Sequence, residues 1–125
     1  MRVLWIVVLA ICASGCTYDL ELSFERNGKA LDIKFHRRIF GIKTAFEMNC
    51  LAGITATRLR DRHIVWRMQR NSSACYSGDH IKYGQNVSGY SNYVEPLEPG
   101  NAYVFSVFGS GASGSEQLVI PIGLR

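Results

Sequence analysis

Between Tyr18 and Phe35 the chain alternates apolar and polar residues twice around one turn. Tyr18, Leu20, Leu22 and Phe24 are interleaved with Asp19, Glu21 and Ser23. Leu31, Ile33 and Phe35 are interleaved with Asp32, Lys34 and His36. A period of two puts one set of side chains on one face of a strand, so each run reads as a half-buried strand. The Asn27-Gly28 pair between them suits a type I′ turn, and the two runs predict an amino-terminal β-hairpin.

The same reading carries along the chain. Ile54 to Leu59 is Thr-rich and strand-like, Arg60 to His63 reads as a turn, and Ile64, Trp66 and Met68 alternate with polar neighbours. Ile39 to Met48 fits either an irregular strand or a short helix, with Gly41 marking a bend. Ile81 to Tyr83 reads as a short strand, and Gly84 to Asn92 as a loop. Val104 to Phe108 and Leu118 to Ile122 read as two more strands, with 109–115 as the loop between them. Many short strands, frequent turn signals and no convincing long helix predict an all-β protein, a small antiparallel β-sandwich. Trp66 is expected in its core beside Tyr103, Phe105 and Val107.

Leu97-Glu98-Pro99-Gly100-Asn101-Ala102-Tyr103 precedes the strand at Val104. This stretch resembles the tyrosine corner of fibronectin type III and immunoglobulin-like domains. The resemblance implies that the Tyr103 hydroxyl bonds back to the backbone a few residues upstream. In the immunoglobulin pattern a cysteine stands two residues after that tyrosine; here the residue is Phe105.

The first sixteen residues are of another kind. Arg2 is followed by an apolar run from Val3 to Ile11, then by Ala13-Ser14-Gly15 and Cys16. A run of that length spans about 15 Å as a helix, half a bilayer core, which suits a signal peptide rather than a membrane span. Cysteine after small residues resembles the lipobox of bacterial lipoproteins. That resemblance implies cleavage before Cys16, a diacylglyceryl group on its thiol and acylation of the new amino terminus. It also implies 1–15 as the cleaved signal peptide and 16–125 as one domain. The family more often has Leu where Ala13 stands. Ordinary cleavage near Ala13 or Gly15, and an uncleaved anchor, are the other readings of the run. Thr17, rather than Asp, implies sorting to the outer membrane, with the domain facing the periplasm.

Of four cysteines, Cys12 would leave with the signal peptide and Cys16 would carry lipid. Cys50 and Cys75 remain in an oxidising compartment, which predicts a disulfide between them. A metal pair or a reactive thiol is the alternative, but no histidine stands at ligand spacing from either. His36, His63 and His80 are scattered, so no metal site and no cofactor is expected. The run 109–114 fits G-x-G-x-x-G, but Leu118 to Pro121 is no helix start, so a hairpin loop is expected in place of a dinucleotide site.

Losing Arg2 would lower the formal charge from +4 to +3, compatible with an anionic partner or membrane surface. Arg58, Arg60 and Arg62 alternate, and Arg67 and Arg70 follow on the next strand. Arginine suits bidentate contact with carboxylate or phosphate. The cluster therefore reads as a docking surface for an acidic protein or anionic lipid, against the plainer reading of a solvated sheet face. Arg37-Arg38 read as a second place for headgroups. Tyr83, Tyr90 and Tyr93 sit among Gly, Ser and Asn, the composition of binding loops and equally of a loop with packed tyrosines. The function expected is a lipid-anchored, periplasm-facing binding module. It would have a protein partner, no nucleic acid and no catalysis, as an immunity-type protein or an accessory of an envelope complex. The alternatives are a small envelope hydrolase, which would need His63 or His80 to gather a carboxylate and a nucleophile, and a structural lipoprotein with no discrete ligand.

Overall fold

A computed structural model describes residues 18–28, 30–109 and 111–121. The signal segment and Cys16 lie outside the described residues. All regular structure within them is strand: β1 (Tyr18–Asp19), β2 (Glu21–Asn27), β3 (Ala30–Ile39), β4 (Ile42–Ala45), β5 (Leu51–Arg58), β6 (Ile64–Arg70), β7 (His80–Lys82), β8 (Tyr90–Val94), β9 (Ala102–Gly109) and β10 (Ala112–Val119). One sheet has six strands in the order β1-β10-β9-β5-β6-β8. The other has four, β2-β3-β4 with β7 also on β3. The expected small β-sandwich is the observed fold.

The alternating patterns work as period-two burial demands. Leu22, Leu31, Ile33, Phe35 and Ile81 point inward from the smaller sheet. Ile54, Ala56, Trp66, Met68, Tyr103, Phe105 and Val107 meet them from the larger one. Trp66 is fully buried, and its indole N–H donates to Asn92 Oδ1 at 2.8 Å. A buried donor left without a partner would cost more than burying its ring gains from that atom.

Four expectations change in detail. The first strand breaks at Leu20: β1 pairs in parallel with β10, and the chain then crosses to the other sheet as β2. The Leu20 N–H bonds Ser113 O at 2.8 Å, which holds the crossing, and Gly114 makes room for it, since a Cβ there would strike the Leu20 carbonyl. The first turn is shifted: Asn27 belongs to β2, where it pairs with Ala30, and does not stand in the turn. Ile39 to Met48 contains a hairpin, β3–β4, with Phe40 and Gly41 as its two turn residues at φ 52° and 79°. The stretch read as a loop at 109–115 is largely strand: β9 runs to Gly109 and β10 starts at Ala112, which pairs with it.

Cys50 and Cys75 are joined, with sulfurs 2.12 Å apart. The bridge ties the start of β5 to the segment between β6 and β7. Arg70 covers it, its Nη1 lying 2.8 Å and 3.1 Å from the two sulfurs.

Candidate functional site

The pairing of β5 with β6 brings the arginines near one another but not onto one surface. Arg58 pairs with Tyr103 across β5–β9, on the inward side at the end of the sandwich. Its guanidinium grips Asp61 at 2.8 Å and Glu98 at 3.0 Å and is only 12% exposed. The Asp61 hydrogen bond holds the arginine firmly protonated, and the same bond holds the Asp61 carboxyl far below the usual carboxylate range. Beside it the Tyr103 hydroxyl accepts the Glu98 N–H at 2.8 Å. The Tyr103 hydroxyl thus bonds back to the backbone five residues upstream, and Arg58 braces the same bend through Glu98. Arg58 as a docking residue is thereby corrected: its charge is spent inside the protein.

Arg60 and Arg62 belong to the β5–β6 turn. Asp61 Oδ1 accepts the His63 N–H, and Arg62 takes φ 59°. Arg67 lies mid-strand on the outer face of the larger sheet, directly between Thr55 on β5 and Tyr93 on β8. Directly opposed residues share a face. Arg62, His63, Ile64, Arg67 and Tyr93 line one shallow open groove there. Neither Arg62 nor Arg67 has an ion-pair partner among the described residues.

The loop tyrosines divide. Tyr90 is buried: its hydroxyl donates to Leu51 O at 2.5 Å and accepts the Tyr76 N–H at 2.9 Å. Tyr83 packs at a tilt against Trp66 and edgewise on Phe105, and donates to Glu95 O at 2.6 Å. Burial pushes its phenol well above the ordinary range. These two are corrected from binding residues to core residues. Tyr90 opens β8 because one large ring facing inward fixes the register of an otherwise polar strand. Tyr93, half exposed, stays available at the groove.

At the groove's rim, Tyr93 donates to Glu95 Oε2, and His63 Nε2 lies 2.6 Å from the same oxygen. These two bonds, Tyr93 first, hold the Glu95 carboxyl below its ordinary value; the same carboxylate pushes the Tyr93 phenol up. An ionised carboxylate only accepts, so His63 presents its Nε2 proton to it. Glu95 is thus occupied by Tyr93 and His63, and the neighbouring Asp61 by Arg58, so neither acid is paired with Arg62 or Arg67.

On the outer face of the smaller sheet, Ser23 Oγ lies 2.8 Å from His36 Nε2, a diagonal contact across the β2–β3 hairpin. A turn at Asn27-Gly28 would have set Ser23 opposite Asp32, away from His36. The observed register, with Ser23 opposite Lys34 and Glu21 opposite His36, is what brings this pair together, and the sequence carried no signal for it. His80 Nδ1 contacts Asp79 Oδ1 of its own dipeptide at 2.8 Å, and no nucleophile joins them among the contacts described. No group of three or more His, Cys, Asp or Glu among the described residues has an arrangement fit to hold a metal ion. No helix among the described residues is long and apolar enough to cross a membrane.

The glycines of 109–114 have structural work instead of phosphate to cradle. A Cβ on Gly109 would strike Met48 and lie 2.7 Å from Cys50 O, and Gly111 turns at φ 68°. No protein-family model, curated protein or solved structure matches the chain.

Proposed function

We propose that this is a lipid-anchored, periplasm-facing binding module of the bacterial envelope that docks an acidic segment of a protein partner in the groove of Arg62, Arg67 and Tyr93. The observation that carries the reading is this groove itself: two guanidiniums with no ion-pair partner among the described residues, beside a half-exposed aromatic ring. Paired donors in a fork and a flat amphipathic ring are the side chains that recognise carboxylate-bearing protein surfaces. The anchor rests on the Arg2-to-Cys16 pattern, and the immunity-type and accessory roles are two forms of the same docking.

The test is a crosslinked pull-down from native membranes with the full chain. A stoichiometric partner captured by the wild type and lost in R62E/R67E, but kept in R60E, supports the reading. A partner kept in R62E/R67E places the docking elsewhere. Charge reversal at Arg58 is the wrong control, because it opens the tyrosine corner and tests folding.

The hydrolase alternative has one contact in its favour, Ser23 against His36. A fluorophosphonate probe that labels the wild type and not S23A would support it. An unlabelled wild type removes this pair from consideration as an active site.

A further inference from the structure

The β3–β4 arm presents apolar side chains to solvent where nothing in the fold uses them. From Arg37 onward β3 pairs with β4 alone, because β2 begins opposite His36. At the tip Phe40 is 100% exposed and Ile42 65%, with Ile39 also exposed. Phe40 sits at φ 52°, a conformation that Asn or Gly adopts easily and a bulky residue does not. A strained position holding an apolar ring in water is a feature that neither packing nor turn chemistry explains.

The arm's charges are all of one sign. Arg37, Arg38 and Lys43 flank the tip, and no acid occurs from 37 to 45. Arg38 braces the arm, donating to Glu21 Oε1 at 2.6 Å and to the Gly41 carbonyl at 3.1 Å. Arg37 lies over the Phe46 ring, 5.8 Å from its centroid.

Position completes the argument. Asp19, Glu21, Arg37, Arg38 and Ile39 line one hollow, so the arm springs from the end of the sandwich where the chain enters. Phe40 lies four residues beyond the level of Glu21, about 13 Å at strand rise. Cys16 precedes Tyr18 by two residues, a reach of about 7 Å, with Asp19 and Leu20 adding more. Both can therefore meet one plane. An apolar tip with a cationic collar, held beside an acyl chain, is the pattern that enters the headgroup boundary of an anionic bilayer.

We infer that the Ile39–Ile42 tip inserts Phe40 into the anionic bilayer surface beside the lipid on Cys16, giving the domain a second membrane contact and a fixed orientation. This rests on the anchor proposed above. The test uses the full chain carrying F40W, processed in its native host and reconstituted into phosphatidylethanolamine–phosphatidylglycerol vesicles with brominated acyl chains. The wild type serves as control for the buried Trp66. The expected result is emission from the introduced indole shifted to shorter wavelength and quenched by the brominated lipid, with F40W/K43E quenched less. The mass of the same preparation separates the two ideas. Lipid on Cys16 with the introduced indole unshifted and unquenched overturns insertion and leaves the anchor. An unmodified Cys16 overturns the anchor and this inference with it.

Discussion

The hydroxyl of Tyr90 serves two backbone groups from distant parts of the chain, the Leu51 carbonyl and the Tyr76 N–H. Removing it leaves both groups short of a partner inside the protein, so Tyr90→Phe should cost about 1–3 kcal/mol in urea unfolding. The Tyr103 hydroxyl makes the same kind of prediction: Tyr103→Phe leaves the Glu98 N–H unanswered and should cost about 1 kcal/mol. Phe40 runs the other way. Phe40→Asn relieves a left-handed backbone in an exposed turn and should raise stability by about 1 kcal/mol, read as a higher thermal midpoint. The inward residues Leu22, Ile33, Trp66 and Phe105 were legible because burial writes itself into a period of two. The tyrosines were not, since Gly, Ser and Asn around a ring look alike whether the ring faces water or the core.

Strands with large apolar residues on one side were read at nearly their observed places. Three elements escaped in whole or part: β8, with one inward ring among Ser and Asn; β4, four residues behind an atypical turn; and most of β10, whose Ala112 to Gln117 carry no large apolar residue, so that only Leu118 and Val119 of it were read as strand. None produces a hydrophobic period long enough to recognise, and each exists because a neighbouring strand offers an edge. The arginine cluster failed as a unit for a related reason. Alternation placed Arg58, Arg60 and Arg62 on one face only if the strand continued past Arg58, and it ends there in a turn. At this scale the disulfide has a clear effect. Its partners are 25 residues apart, so a C50A/C75A chain should lose about 3–4 kcal/mol, measured as the shift in urea midpoint. Arg70 holds a cation against both sulfurs of a bridge whose Cys75 end is exposed, which stabilises the thiolate that leaves when an external thiol attacks. Arg70→Ala is therefore expected to be reduced more slowly by dithiothreitol.

Taken as a whole the molecule keeps its charged side chains outside the core, with no buried charged residue among the described residues. Burial, helped by Lys43, holds the His36 ring below the ordinary imidazole value of 6.5. The folded chain thus takes up this proton less readily than the unfolded one. Its contribution is present above about pH 6.5 and is lost as pH falls through the folded value. The urea midpoint should drop between about pH 7 and pH 5, and His36→Asn should flatten that part of the profile. A second loss, at lower pH, belongs to Asp61 and Glu95, whose hydrogen-bonded carboxylates must then take up protons.

The parallel pairing of Tyr18 and Asp19 with Ala112 and Ser113, extended by the Leu20–Ser113 bond, fastens the first described residues to the last hairpin. A load entering at the amino terminus therefore pulls along these bonds together, in shear, before it reaches β2. The first and last of the described strands form a clasp, and a pull applied ahead of Tyr18 would be resisted through a strand nearly a hundred residues further on.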